Sequence, residues 1–170
     1  NITMKKIFLI IFIFILSCSQ EEAQKVTIEK ISDRGNIFSI SQFLDIGFKK
    51  NKEYKINDLP GSNSAYFGFI KNNLGEFEDY EIRFYSNHED AIKLGKDYAD
   101  NITGKNGCIS KDCSLWEEGL KDRIRMSDLG TLLPKYMSYL IYDNFILFCP
   151  GYDEIEGQLN CNFVIENINN

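Results

Sequence analysis

Chemistry in this chain would have to come from one histidine, several acid pairs, five cysteines and nine tyrosines. His88 stands beside Glu89 and Asp90, a grouping that suits a general base or a lone metal ligand. The same two acids complement a helix N-terminus, and a single histidine cannot furnish a His-rich metal site. His88 therefore reads as a first-turn helix residue. Glu117-Glu118, Glu89-Asp90, Asp153-Glu154 and Glu156 are candidates for paired-carboxylate hydrolysis, which needs two acids held across a cleft. Neighbouring acids on a helix project in different directions, so they read as solvated surface. The sequence has neither Gly-rich phosphate loop and no Ser- or Cys-centred nucleophile motif. Cys108, Cys113, Cys149 and Cys161 are spaced C-x4-C and C-x11-C. That spacing lacks both the tight C-x2-C knuckle of a zinc site and the C-x-x-C of a redox motif. No catalytic residue, metal ligand or non-covalent cofactor is assigned.

The elements that would position such groups are signalled by caps and periodicity. Ser39-x-x-Gln42, Ser86-x-x-Glu89 and Ser114-x-x-Glu117 all have capping-box form and predict three amphipathic helices, ending near Gly47, Gly104 and Gly130. Residues 65–70 and 80–85 predict one strand pair. In the second strand Ile82 and Phe84 take one face, and Glu81, Arg83 and Tyr85 the other. Residues 136–142 and 145–149 predict a second pair, joined at Asp143-Asn144. The stretch 153–168 fits either a strand or a helix. The preceding pattern of two strands and a helix favours a helix. The expected fold class is α+β: a four-stranded antiparallel sheet from two ββα units, with helices packed on one face. The open face would then present an aromatic binding platform including Tyr85, Tyr139 and Tyr142.

Two lysines after Met4, ten apolar residues from Ile7 to Leu16, then Ser17-Cys18, form the other informative stretch. The apolar run is too short to cross a bilayer as a helix. It resembles the lipobox signal of bacterial lipoprotein precursors. The resemblance implies cleavage before Cys18, covalent lipid on its thiol, and a membrane anchor. Residues 1–17 would be the signal peptide (with 1–3 extraneous), 18–36 a lipidated Cys18 and flexible tether, and 37–170 one α+β domain. Ser19, rather than an aspartate, follows Cys18, which implies the outer membrane over the inner one; the side it faces is left open. With Cys18 set aside, Cys108, Cys113, Cys149 and Cys161 make an even set, read as two disulfides in an exported protein. Three pairings are possible, and proximity favours 108 with 113 and 149 with 161.

Charge narrows the partners. Without Lys5 and Lys6 the 19 basic residues fall to 17 against 25 acidic, a net charge of −8. That excludes the basic footprint nucleic acid demands and leaves membrane attachment to the lipid. The patches Asp58–Gly61 and Tyr66–Phe69, and Arg83–Tyr85 with His88–Ala91, resemble segments of uncharacterised bacterial envelope proteins and imply no activity. The expected function is a lipid-anchored envelope protein, non-enzymatic, binding another envelope protein or a glycan. The alternatives are a hydrolase of envelope or extracellular polymer and a periplasmic small-ligand-binding protein.

Overall fold

The computed structural model describes residues 28–169. The expected Met4–Cys18 signal and the first part of the expected tether lie outside them. In chain order the elements are β1 (Ile31–Ser32), α1 (Ile40–Asp45), β2 (Lys49–Glu53), β3 (Ser62–Lys71) and β4 (Phe77–Tyr85). There follow α2 (His88–Asp90), a π-helical turn (Ala91–Gly95), α3 (Lys96–Ile102) and a 3-10 turn (Leu120–Arg123). Last come β5 (Ile124–Met126), β6 (Leu132–Pro134), β7 (Tyr136–Tyr142), β8 (Phe145–Pro150) and α4 (Glu154–Ile168).

Two hairpins build the centre, as the strand patterns predict. β3 turns into β4 at Asn72, whose Oδ1 accepts from the amides of Leu74 and Glu76 at 2.9 and 3.0 Å. β7 turns into β8 through Asp143-Asn144, with Asp143 at φ 47°, a conformation Asp tolerates in two-residue hairpin turns. β4 and β8 pair antiparallel and join the hairpins. The sheet is six-stranded, in the order β1-β7-β8-β4-β3-β2, and β5 and β6 form a separate two-stranded sheet. The four expected strands are its centre; β2 adds one edge, and β1 the other, parallel to β7. β2 reads Lys-Lys-Asn-Lys-Glu and is exposed at every position, a charged edge that discourages pairing with another chain.

Helices cover both faces rather than one. Tyr80, Ile82 and Phe84 lie with Leu140, Phe145, Leu147 and Cys149 beneath α1 and α4. On the opposite face Tyr85, Tyr139, Ile141, Ile146 and Phe148 pack under Ala91, Ala99 and Ile102. Beside them Ala65 and Phe67 meet Tyr54, Leu59 and Trp116. The cause is written in β7 and β8, which are buried at every position and read as nearly continuous apolar runs. Such runs belong to strands covered on both sides. Gly95 lets the π-helical turn settle on the sheet, since a Cβ there would lie 2.4 Å from the Tyr85 hydroxyl.

Caps decide the helices. Ser39 and Gln42 form the expected capping box of α1. For α2 the cap is Asn87, which accepts from the Asp90 amide at 2.8 Å, one residue beyond the expected Ser86. The third box starts no helix: the Ser114 hydroxyl donates to the Trp116 carbonyl at 2.7 Å, and the segment is a loop. The ambiguous tail is the helix α4, capped by Asp153. Both disulfides have the expected pairing, Cys108–Cys113 and Cys149–Cys161.

The domain also begins earlier than residue 37. The Ile141 amide donates to the Lys30 carbonyl and the Asp143 amide to the Ser32 carbonyl, each at 2.9 Å. The Asp143 carboxylate accepts from the Arg34 amide and the Asn36 side chain. Asn144 holds both the amide and the carbonyl of Phe38, at 2.7 and 3.0 Å. Residues 30–38 are thus bound around the β7–β8 turn and are not tether.

Candidate functional site

The described residues form an open cleft of about 650 Å³. Three separate segments build it. Glu76 and, at the start of β4, Phe77, Glu78 and Asp79 form one wall. Arg125 to Asp128, Leu133 and Lys135 come from the β5–β6 hairpin and the residue after it, and Pro150 to Tyr152 with Glu156 from the β8–α4 junction. The hairpin closes through Ser127, whose amide donates to the Thr131 carbonyl at 2.8 Å and whose hydroxyl accepts from the Thr131 amide at 3.1 Å. Asp153 caps α4 by accepting from the Glu156 amide, and the Glu156 carboxylate accepts from the Tyr152 amide at 2.6 Å.

Acids dominate the polar wall. The Glu78 carboxyl is held above its ordinary range, first by burial and then by the negative charges of Glu156, Asp79 and Glu76. Lys135 is ion-paired with Asp79. Arg125 lies 4.9 Å over the Tyr152 ring while its Nε donates to the Pro134 carbonyl at 3.2 Å. Both cations therefore have partners, and the acids outnumber them.

The rest of the wall is apolar and exposed. Of the ten large hydrophobic side chains that are exposed among the described residues, Phe77 (48%), Met126 (69%) and Tyr152 (78%) line this cleft. Leu129 (93%) and Leu132 (50%) belong to the same hairpin, and Ile155 (73%) to the first turn of α4. Apolar side chains scattered singly need no explanation, but three large ones exposed in one concavity mark a surface that is used.

A buried ion cluster anchors the hairpin. Glu81 of β4 takes Arg83 Nε at 2.7 Å and Arg123 Nε and Nη2 at 2.8 and 3.2 Å, and Arg123 Nη1 donates to the Trp116 carbonyl at 2.9 Å. Trp116 stacks over both guanidiniums, 4.9 Å from Arg83 and 4.6 Å from Arg123. Burial pushes the Glu81 carboxyl up, yet the two guanidiniums outweigh it and hold the carboxyl below its usual range. Burial lowers Arg83, whereas for Arg123 the opposing pull of Glu81 wins. One carboxylate shared by two guanidiniums leaves a net positive charge inside, with Arg83 Nη1 unpartnered. Arg123 immediately precedes β5, so this cluster fixes where the cleft-lining hairpin leaves the domain.

The residues singled out from sequence fall elsewhere. Tyr85, Tyr139 and Tyr142 are buried, at 1%, 1% and 4% exposure, and so offer no open platform. Tyr85 and Tyr139 lie under the π-helical turn and α3, whereas Tyr142 faces the α4 side. The Tyr139 hydroxyl donates to Asp100 at 2.5 Å, and the Tyr142 hydroxyl accepts from Asn169 at 3.0 Å. His88 Nδ1 donates to the Asp143 carbonyl at 2.8 Å, tying α2 to the β7–β8 turn. Among the acid pairs, only Glu156 reaches the cleft. Glu81 and Arg83, on the strand face opposite Ile82 and Phe84, are buried, and so is Arg123. Cys108 and Cys113 bridge the loop before Trp116, and Cys149 and Cys161 join β8 to α4. Among the described residues no group of three or more His, Cys, Asp or Glu side chains is placed to hold a metal ion, and no helix is long and apolar enough to cross a membrane.

These features define an α+β domain with a sheet covered on both faces, two disulfides and an acidic, apolar-walled surface cleft. The chain belongs to a family of unknown function, DUF6810, whose model matches residues 39–170. No curated protein and no solved structure matches it.

Proposed function

We propose that this protein is a lipid-anchored binding module of the bacterial cell envelope, held at the outer membrane through Cys18 and engaging another envelope protein at the cleft. The observation that carries the binding role is the exposure of Phe77, Met126 and Tyr152 within that concavity. Exposed Met and Tyr beside a stacked Arg are the composition of an interface core. Two disulfides support an oxidising compartment. The lipobox-like run Met4–Cys18 supports the anchor, because Lys5 and Lys6 are followed by ten apolar residues and then Ser-Cys. A protein partner is favoured over a glycan, since the tyrosine platform that would have stacked on sugar rings is buried. The test is metabolic labelling with an alkyne fatty acid in a bacterial host, followed by membrane fractionation. Wild type should carry label and sediment with the outer membrane, and Cys18→Ala should lose both. An unlabelled wild type refutes the anchor.

A further inference from the structure

The geometry points to a particular occupant of the cleft: a segment of a partner protein that presents a lysine or arginine side chain next to an apolar one. This rests on the reading of the protein as a binding module. The apolar part follows from Phe77, Met126 and Tyr152, which line the cleft while keeping about half or more of their surface open. Leu129 and Leu132 of the same hairpin and Ile155 of α4 are exposed as well. A free small cation would leave Phe77, Met126 and Tyr152 uncovered, so the ligand is a longer chain. The basic part follows from charge. Five carboxylates, those of Glu76, Glu78, Asp79, Asp128 and Glu156, line the cleft against two cations, a formal surplus of three negative charges. Lys135 is already held by Asp79, and Arg125 by Tyr152 and the Pro134 carbonyl. Glu78 titrates high because burial and its acidic neighbours disfavour its charge, and an incoming ammonium or guanidinium relieves that repulsion. Complementary charge of this kind selects the partner, while the apolar contacts supply affinity.

The probe is the peptide acetyl-Gly-Leu-Lys-Leu-Gly-Leu-Lys-Gly-amide, titrated into residues 28–170 with both disulfides formed and followed by amide and methionine-methyl NMR. Two twins replace both lysines by glutamine or by glutamate. The lysine peptide should shift the signals of Phe77, Met126 and Tyr152. Its Kd should rise roughly fivefold to tenfold for the glutamine twin and for E76Q/E78Q protein, the size of two partly exposed ion pairs. The difference should shrink at high salt. Met126→Ser should weaken every peptide, and unchanged signals from the β7–β8 core would show that the variants are folded. Equal binding of all three peptides at the cleft would overturn the basic specificity while leaving the cleft a binding surface. Lysine amide alone binding as tightly as the peptide would overturn the chain-like ligand. If no peptide shifts the cleft signals, both the occupant and the use of this cleft fall, whereas the Cys18 anchor is decided separately by labelling.

Discussion

Replacing Glu81 by glutamine should cost this domain a large share of its stability, because it leaves two guanidiniums buried with no counter-charge. Glu81, Arg83 and Arg123 are 0%, 0% and 1% exposed, so water cannot take over the lost role. An N–O separation near 2.8 Å corresponds to roughly 6 kcal/mol of attraction per guanidinium at an effective dielectric of about 20. Much of that offsets the desolvation of the charges, and breaking a buried pair by removing one partner costs about 3–5 kcal/mol. With two partners orphaned at once we expect the upper part of that range. For a domain of this size it lowers Tm by about 15 °C. The assay is urea denaturation followed by the fluorescence of Trp116, the single tryptophan, whose ring lies 4.6 and 4.9 Å from the two guanidiniums and so reports on the cluster itself. Replacing the trio together, Glu81→Leu with Arg83→Met and Arg123→Met, should recover most of the loss, since an apolar core needs no counter-charge. A Glu81→Gln loss below about 1 kcal/mol at unchanged m-value would refute the reasoning. The cluster also has a pH signature. Its carboxyl titrates lower in the folded than in the unfolded protein, so its contribution is full above the ordinary carboxylate range and is lost as pH falls through the folded value. The acid limb of the wild-type stability profile should therefore be steeper than that of Glu81→Gln.

Glu78 should behave in the opposite sense. Its carboxyl titrates higher in the folded protein, so stability falls as pH rises from the ordinary carboxylate value through the folded one. Glu78→Gln should raise Tm at neutral pH, with the gain vanishing on acidification in a thermal scan series. Removing the core disulfide by Cys149→Ala with Cys161→Ala should cost about 3 kcal/mol from the released 12-residue loop, against about 2 kcal/mol for Cys108→Ala with Cys113→Ala, both read by urea denaturation. Gly157→Ala should destabilise by about 1–3 kcal/mol despite alanine's better helix propensity, because the new Cβ would lie 2.8 Å from the Ser138 amide nitrogen and push α4 off β7. A stability gain from that substitution in the same assay would show that α4 shifts freely.

Much of the scaffold was legible because it is locally encoded. The alternation in β4, the Asp143-Asn144 turn, the Ser39–Gln42 box and the nearness of each cysteine pair are all short-range signals, and each has its expected counterpart. Ser114-x-x-Glu117 carries the same local signal and fails. The Cys108–Cys113 bridge and the Trp116 contacts with Arg83 and Arg123 hold that segment as a loop, so tertiary packing overrides the cap. The covered second face was also written in the chain, in the unbroken apolar runs of β7 and β8, but a pattern of two strands and a helix does not say to which side the helix folds. Arg83 and Arg123 resemble surface charges in any window of sequence, since only the fold brings Glu81 between them. The cleft was invisible for the same reason: its walls come from residues 76–79, from 125–128 with 133 and 135, and from 150–152 with 156, which local patterning does not connect.

The ion cluster and the cleft are linked through one residue. Arg123 ends the 3-10 turn, and the next residue begins β5, whose hairpin supplies Met126 and Arg125 to the cleft. At the hairpin's other end the Lys135 amide donates to the Arg123 carbonyl at 2.8 Å, and the Lys135 side chain pairs with Asp79 across the cleft. A two-stranded hairpin is marginal by itself in water. Anchored at its base by a buried guanidinium, it can keep Met126, Leu129 and Leu132 exposed without collapsing on the domain. A buried cluster that could be replaced by apolar residues at little cost to stability is then retained for position: a guanidinium fixed by three nitrogens has one orientation, whereas a methionine has several. The trio substitution separates these roles. If stability recovers while the lysine peptide loses affinity at the cleft, the cluster serves to aim the hairpin. If affinity recovers as well, it serves only to fill the core.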